Sequence, residues 1–319
     1  MKELELIERI REGVKARNPA VRLGIGDDCA VLRVPAGHEM VVTTDFSLEG
    51  RHFRREWHTP QSAGHRCLAR GLSDLAAMGA KPIAAFLSLA LPRGFEVEWV
   101  DGFMEGFEAL AQRFGVELAG GDTAEAPGGE ILADVVCVGA VRKGNALLRS
   151  GAQAGDGIFV TGRLGGAAVE LARLAAGGHC PGTVATAGKH PHAFPEPRLK
   201  AGFKLAEWRI ATACMDVSDG LSTDLRHLCD ASGVGAEIAS AEIPLAAGAT
   251  LEQALHGGED YELLFTSKVW SRVPNKLATT RVQRIGRVTA ESGVRIDGVE
   301  LVRGGWEHFG ETHSSHGAR

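Results

Sequence analysis

The chain has 319 residues, 44% of them apolar and 24% charged, with a formal net charge of −5; that is length enough for two domains of ordinary size, each with its own core. The charge gives no reason to expect nucleic acid or an acidic membrane surface as a partner. No apolar run reaches the length of a membrane span, and the opening "MKELELIERIREG" is an amphipathic helix pattern, not a signal peptide.

In chain order, the next feature after that helix is "GIGDDCAVL", which sets Asp27 and Asp28 between a glycine turn and an apolar run. "MVVTTD" reads as a β-branched strand ending at Asp45. "GHRCLARGLSDLAAMG" puts Leu68, Leu72 and Leu75 on one helical stripe, with Asp74 inside the helix. "AAFLSLALP" is a second strand. "EWVDGFMEGFEALAQRFG" is a helix whose stripe includes Trp99, Phe103, Phe107, Leu110 and Phe114, with Gly115 as its C-cap. In "LAGGDT" two glycines permit a tight turn before Asp122, and "ILADVVCVGAV" is a long buried strand.

The polar, glycine-rich "RKGNALLRSGAQAGDG" places a domain boundary near residue 150, with domains 1–148 and 149–319. "IFVTG" then reads as a strand, "GGAAVELARLAAGG" as a helix, and "GKHPHAFPEPRLK" as a loop. "ATACMD" is a strand ending at Asp216, "GLSTDLRHLCDASG" a helix, "YELLFTS" a strand, and "ETHSSHGAR" a frayed tail. There is no short-period repeat. The six cysteines lack C-x-x-C spacing, which argues against a thiolate zinc site. Cys29, Cys137 and Cys214 sit in apolar segments and are expected to be small buried hydrophobes of a cytoplasmic protein.

The aspartates recur where strands hand over to loops, the places at which α/β sheets collect functional groups. Taken singly, each has a plainer use: turn aspartates bond nearby backbone N–H groups, and Asp74 can pair with Arg70 at i, i+4. Taken together, Asp28, Asp45, Asp74, Asp122, Asp216 and Asp219 would repel one another in a common crevice unless cations compensate. Hard oxygen ligands of this kind suit Mg²⁺ bound with a polyphosphate, and the hydroxyls of Thr43, Thr44 and Ser218 flank them. No P-loop motif and no kinase H-R-D or D-F-G set is present. Arg149, in "LLRSGA", is the best basic group for a nucleotide or else a solvated charge.

The series "GIGDDCAV", "TTDFSLEGRHF", "LSDLAAMGAKP", "LAGGDT", "LLRSGAQAGD", "MDVSDGLSTDL", "GGEDYELLF" and "GWEHF" resembles the thiamine-monophosphate kinase family in order and content, over residues 5 to 310. That family is part of a superfamily that includes aminoimidazole ribonucleotide synthetase and selenophosphate synthetase. The resemblance implies an α/β (α+β) two-domain ATP-binding fold of the aminoimidazole ribonucleotide synthetase type. The N-terminal sheets would pair in a homodimer, residues 1–148 binding ATP and Mg²⁺, and the α/β C-terminal domain would complete the substrate site. The implied reaction is ATP-dependent phosphorylation of thiamine monophosphate to thiamine diphosphate.

The same resemblance implies metal ligands at Asp28, Thr43, Thr44, Asp45, Asp74, Asp122, Asp216 and Asp219, and nucleotide contacts at Gly121, Asp122, Arg149 and Ser218. It places thiamine phosphate contacts at His52, Glu259 and Trp306, with Asp45, Asp74 and Asp122 nearest the transferred group. Trp306 replaces the family's usual tyrosine and keeps an aromatic face for a heteroaromatic ring; Phe103 and Met104 stand where another tyrosine is common. Two rival readings remain. One is a sister enzyme activating an amide or selenide, for which the reactive cysteine would be Cys29, read here as packed. The other is a nucleotide- and metal-binding module without catalysis.

Overall fold

The computed structural model describes residues 3–15, 17–182 and 189–306. The chain forms two compact units: the first takes in Met1–Leu75, Lys81–Lys143 and Leu174–Phe194, the second Ala76–Ala80, Gly144–Arg173 and Pro195–Arg319. The expected frayed tail, and His308 and Phe309 of the closing motif, lie outside the described residues.

The first unit opens with helix α1 (Glu3–Gly13) and two short strands, β1 (Val21–Leu23) and β2 (Val31–Leu32). Its main elements are β3 (His38–Leu48), α2 (Pro60–Ala77), β4 (Lys81–Leu91), α3 (Val97–Phe114), β5 (Glu117–Glu125) and β6 (Leu132–Arg142). The sheet order is β3-β6-β4-β5, with only β4 and β5 parallel. Helix α2 lies flush on one sheet face because Gly71 faces Cys137, where a Cβ would come 2.7 Å from its Sγ. Helix α3 ends at Gly115 in the left-handed conformation (φ 67°), its N–H bonded to the carbonyls of Ala111 and Gln112, as the glycine predicted. On the opposite face the β1–β2 hairpin packs Val21, Ala30 and Leu32 against Met40, Ile83, Phe86 and Ala140. Beyond that hairpin Val42 and Phe46 of β3 stay 66% and 62% exposed.

The second unit runs through β7 (Gly157–Thr161), α4 (Gly166–Ala175), α5 (Leu199–Trp208), β8 (Ala213–Asp216), α6 (Leu221–Ser232), β9 (Gly235–Ile238), α7 (Leu251–His256) and β10 (Leu263–Ser267). It closes with β11 (Lys276–Leu277), β12 (Thr280–Thr289), β13 (Gly293–Ile296) and β14 (Val299–Glu300). The strand order is β14-β13-β9-β12-β7-β10-β8, with β11 paired to β12. Apolar residues of α6 and α7 (Leu221, Leu225, Leu228, Leu255) and of the strands (Ile158, Val160, Met215, Leu264, Val288) share one core, and Leu301 is its last member along the chain. Among the described residues no helix is long and apolar enough to cross a membrane.

Three expectations need correction. Asp45 does not end its strand: β3 continues through Phe46, Ser47 and Leu48, paired residue for residue with Asp134, Ala133 and Leu132. Gly120 and Gly121 do not make a turn before Asp122, since all three lie within β5. A Cβ on Gly121 would collide with the carbonyl oxygen of Leu87 in β4, so the glycine serves close strand approach. Cys137 and Cys214 are buried as expected, whereas Cys29 is exposed. The run after the aspartates alternates, so Ala30 and Leu32 pack inward while Val31 is 50% exposed.

Candidate active site

In the first unit strand register decides where each acid points. Asp45 is paired with Val135 and Thr43 with Cys137, both fully buried on the α2 face. There the Thr43 hydroxyl donates to the Asp74 carboxylate on α2, and an Arg70 guanidinium nitrogen donates to Asp45 Oδ1 at 3.4 Å. Arg70 thus serves Asp45. Burial pushes the Asp45 carboxyl up to about 6; Arg70 opposes the rise, and the nearby charges of Asp74 and Asp134 add to it.

One residue along, Thr44 faces the other side of the sheet and donates to Asp134 Oδ1 at 2.7 Å. Cross-strand pairing runs Phe46, Asp134, Ser88, Asp122, so Asp122 shares this face with Asp134. Asp122 is exposed and its Oδ1 accepts from the Thr123 N–H at 2.9 Å. Asp28 is exposed on the hairpin of the same face, its N–H bonded to Asp27 Oδ1 at 2.9 Å. The expected ligands of this unit therefore form two sets: Thr43, Asp45 and Asp74 toward α2, and Thr44, Asp122 and Asp28 on the hairpin side. His52 follows β3; its Nδ1 accepts from the Leu48 N–H at 2.9 Å, and its carbonyl receives the buried Arg66 guanidinium at 2.8 and 3.2 Å.

In the second unit β8 ends at the buried Asp216, as its sequence predicted, and the loop to α6 carries Ser218 and Asp219. That loop is wrapped around another carboxylate. Asp224 Oδ2, in the first turn of α6, accepts the N–H groups of Ser218, Asp219 and Gly220 at 3.0, 3.1 and 3.0 Å. Burial, then Asp219 and Asp216, push the Asp224 carboxyl well above the ordinary carboxylate range, while the N–H bonds oppose the rise. Asp224 Oδ1 is buried without a hydrogen-bond partner. Asp219, Asp224 and His227 each offer a ligand atom within 4.8 Å of the others, a group able to take a cation.

The same loop gathers the remaining expected contacts. The Glu259 N–H donates to the Ser218 carbonyl at 2.7 Å, and the Trp306 N–H to the Asp219 carbonyl at 3.0 Å. Glu259 and Tyr261 both hold left-handed backbone, φ 65° and 49°, a conformation that persists only where neighbours impose it. Those neighbours are Asp260, which accepts the N–H groups of Gly165 and Ala167 at the start of α4 (2.6 and 3.1 Å), and Glu262, which binds Thr161 and Arg198 at 2.6 and 2.7 Å. Arg149 is exposed, and its carbonyl accepts from the Ser232 hydroxyl at 3.2 Å. Sequence reasoning missed Asp134, Asp224, Asp260 and Glu262. The one available signal for Asp134 was a lone carboxylate inside an apolar strand.

Comparison with known proteins agrees with the fold. The family model for "AIR synthase related protein, N-terminal domain" matches residues 26–141, and that for the C-terminal domain residues 153–299. The thiamine-monophosphate kinase of Salmonella typhimurium is 37% identical over 95% of this chain and 94% of its own. The crystal structure of thiamine-monophosphate kinase from Stenotrophomonas maltophilia has a TM-score of 0.81 at 36% identity, covering 94% of this chain and 98% of that one. The complex of AaThiL with AMPPCP and TMP has a TM-score of 0.76 at 32% identity, covering 96% of each chain. With near-complete coverage of curated relatives at such identity, the chain belongs to the thiamine-monophosphate kinase family.

Proposed function

We propose that this chain transfers the γ-phosphoryl group of ATP to the phosphate of thiamine monophosphate, making thiamine diphosphate with Mg²⁺ as resident ion. The observation that carries this reading is full-length similarity to thiamine-monophosphate kinases, including one solved with AMPPCP and TMP. The residues to which the family resemblance assigns metal and substrate contacts are all present in this chain, which supports the reading.

The donor set fits a hard divalent ion. The first unit offers carboxylate and hydroxyl oxygens (Asp28, Thr43, Thr44, Asp45, Asp74, Asp122). Asp45 is held against ionisation by burial and acidic neighbours, a penalty that a cation removes. The second unit, taken by itself, offers Asp216 and Asp219 beside the orphaned Oδ1 of Asp224. Bound Mg²⁺ neutralises phosphate charge and favours in-line displacement.

The protein's own groups then have simple tasks. A phosphate monoester has a second pKa of about 6, so the acceptor arrives largely ionised and needs no strong general base. Asp45 and Asp74 on the α2 face and Asp122 on the hairpin face act as metal cradles, not as proton shuttles. Gly121, Asp122, Arg149 and Ser218 contact the nucleotide. His52 positions the acceptor phosphate, Glu259 meets the acceptor, and the Trp306 indole stacks on its ring and shields it from water.

The exposed apolar pair Val42 and Phe46 on edge strand β3 fits a second copy of the chain, giving a homodimer through the N-terminal sheets. We place the enzyme in the cytoplasm. The test is a coupled assay for ADP with thiamine monophosphate, thiamine, an aminoimidazole precursor and selenide as separate acceptors. Turnover on the first alone is expected. Turnover on selenide, for which the exposed Cys29 is the reason to look, or ATP binding without ADP release, would overturn the reading.

A further inference from the structure

Past Leu301 the chain runs as a strap along α6 and delivers Trp306 to the Ser218–Asp219 loop. Several fastenings hold it. The Leu301 carbonyl accepts from Arg226 at 2.8 Å, Arg303 pairs with Asp230 at 3.2 Å, the Gly304 N–H reaches the Ser222 hydroxyl at 3.4 Å, and the Trp306 N–H bonds the Asp219 carbonyl at 3.0 Å. Ser222, Arg226 and Asp230 recur at intervals of four on one helical stripe. The strap itself adds little to the core: Val302 is 73% exposed. Its fastenings fix a position more than they supply stability.

The end nearest Trp306 is the most closely fitted. The fully buried Ser222 hydroxyl lies 2.8 Å from His256 Nδ1 on α7. The same hydroxyl accepts the Gly304 N–H, so one oxygen joins the strap to the imidazole of α7, whose Nε2 lies 3.8 Å from Glu252. The strap is glycine here because it lies against these groups. A Cβ on Gly304 would fall on the His256 ring, and one on Gly305 would come within 2.5 Å of Thr223 Oγ1 and collide with the Asp219 carbonyl.

We propose that Ser222 and His256, acting through Gly304, are positioning residues for Trp306 and thereby set the affinity for the acceptor's heteroaromatic ring. This rests on the reading above that Trp306 contacts the acceptor. A hydroxyl and an imidazole outside the proposed substrate contacts fix the backbone that carries the indole. Looseness at Gly304 is passed two residues along the strap to the ring.

The test is steady-state kinetics with both substrates on the full chain. Ser222→Ala and His256→Ala are expected to raise KM for thiamine monophosphate roughly fivefold, the ratio that corresponds to one hydrogen bond, with kcat and KM for ATP unchanged. His256→Asn, whose amide bonds the Ser222 hydroxyl in place of Nδ1, restores the parent KM. Gly304→Ala raises KM further, and adding His256→Ala to it lowers KM again by removing the clash, a non-additive pair. Trp306→Ala separates the two claims. If it raises KM for the acceptor while the Ser222 and His256 variants do not, the positioning role falls and the reading of Trp306 stands. If Trp306→Ala leaves that KM unchanged, the reading falls and takes the positioning role with it. A parallel loss of kcat, both KM values and melting temperature in the Ser222 and His256 variants would mark them as structural and overturn the proposal.

Discussion

The two units hold their acids by different means. In the first, Thr43, Thr44, Asp45 and Asp122 are borne by regular strands and Asp74 by a helix, so register alone sets their direction; side chains such as Arg70 and Thr43 satisfy them. In the second, Ser218 and Asp219 sit on a loop with no ladder to fix it, and an internal carboxyl group does that work: Asp224 gathers three successive N–H groups, and burial beside Asp219 and Asp216 keeps its pKa raised in spite of them. A strand places a carboxylate at no extra expense of polar groups. A loop needs a second, buried carboxylate to place the first.

The sharpest way to break this contrast is to remove charge without shape. Asp45→Asn and Asp122→Asn are expected to lower turnover by roughly a thousandfold or more, the scale of losing one charge-stabilising group in such chemistry, while far-ultraviolet circular dichroism stays that of the parent. Full activity in both would remove the cradle role. Asp224→Ala comes next. Three backbone donors lose their acceptor, so kcat is expected to fall by roughly a hundredfold with a lowered melting temperature, since each orphaned buried donor costs about 1–3 kcal/mol. No strand-borne acid of the first unit should combine those two losses.

A smaller effect follows from protonation of Asp45. Its folded value, about 6, lies above the ordinary carboxylate value, so the native chain binds this proton more tightly than the unfolded one. The stability this contributes is complete below about pH 4 and is lost as pH rises through about 6. In chelator, the stability of Asp45→Asn relative to the parent should therefore grow between about pH 4 and pH 6 and level off above that in thermal melts. With Mg²⁺ present the proton competes with the ion, and half-saturation should rise up to about tenfold per unit as pH falls below about 6. The smallest expected change is that of Asp134→Asn. Removing one of the acidic neighbours of Asp45 moves that profile toward acid by a fraction of a unit and leaves turnover at neutral pH nearly intact.

How much was legible in the sequence follows the same division. Helix α3 and its Gly115 cap could be read from periodicity and one glycine, because both are local rules. The end of β3 could not, since "FSL" after Asp45 continues a strand only through the partner residues Asp134 to Leu132 that it meets in β6. Gly120 and Gly121 were misread because a turn and a close strand approach both call for the absence of Cβ. Cys29 was misread because alternation in a two-residue strand is too short to show which side faces out. Of the candidate site, the acids were visible as a recurring pattern. Their division between two faces of the sheet, and the buried Asp224 that shapes the loop, are products of register and packing that no single motif records.

The most direct measurement follows the phosphorus. ATP labelled in its γ-phosphoryl group is incubated with thiamine monophosphate and the enzyme, with Mg²⁺ and with excess chelator, and the products are separated. The label is expected in the terminal phosphate of thiamine diphosphate, only when Mg²⁺ is supplied, and at background in Asp45→Asn. Label released as free phosphate, or thiamine diphosphate formed equally well in chelator, would contradict direct transfer in a metal cradle.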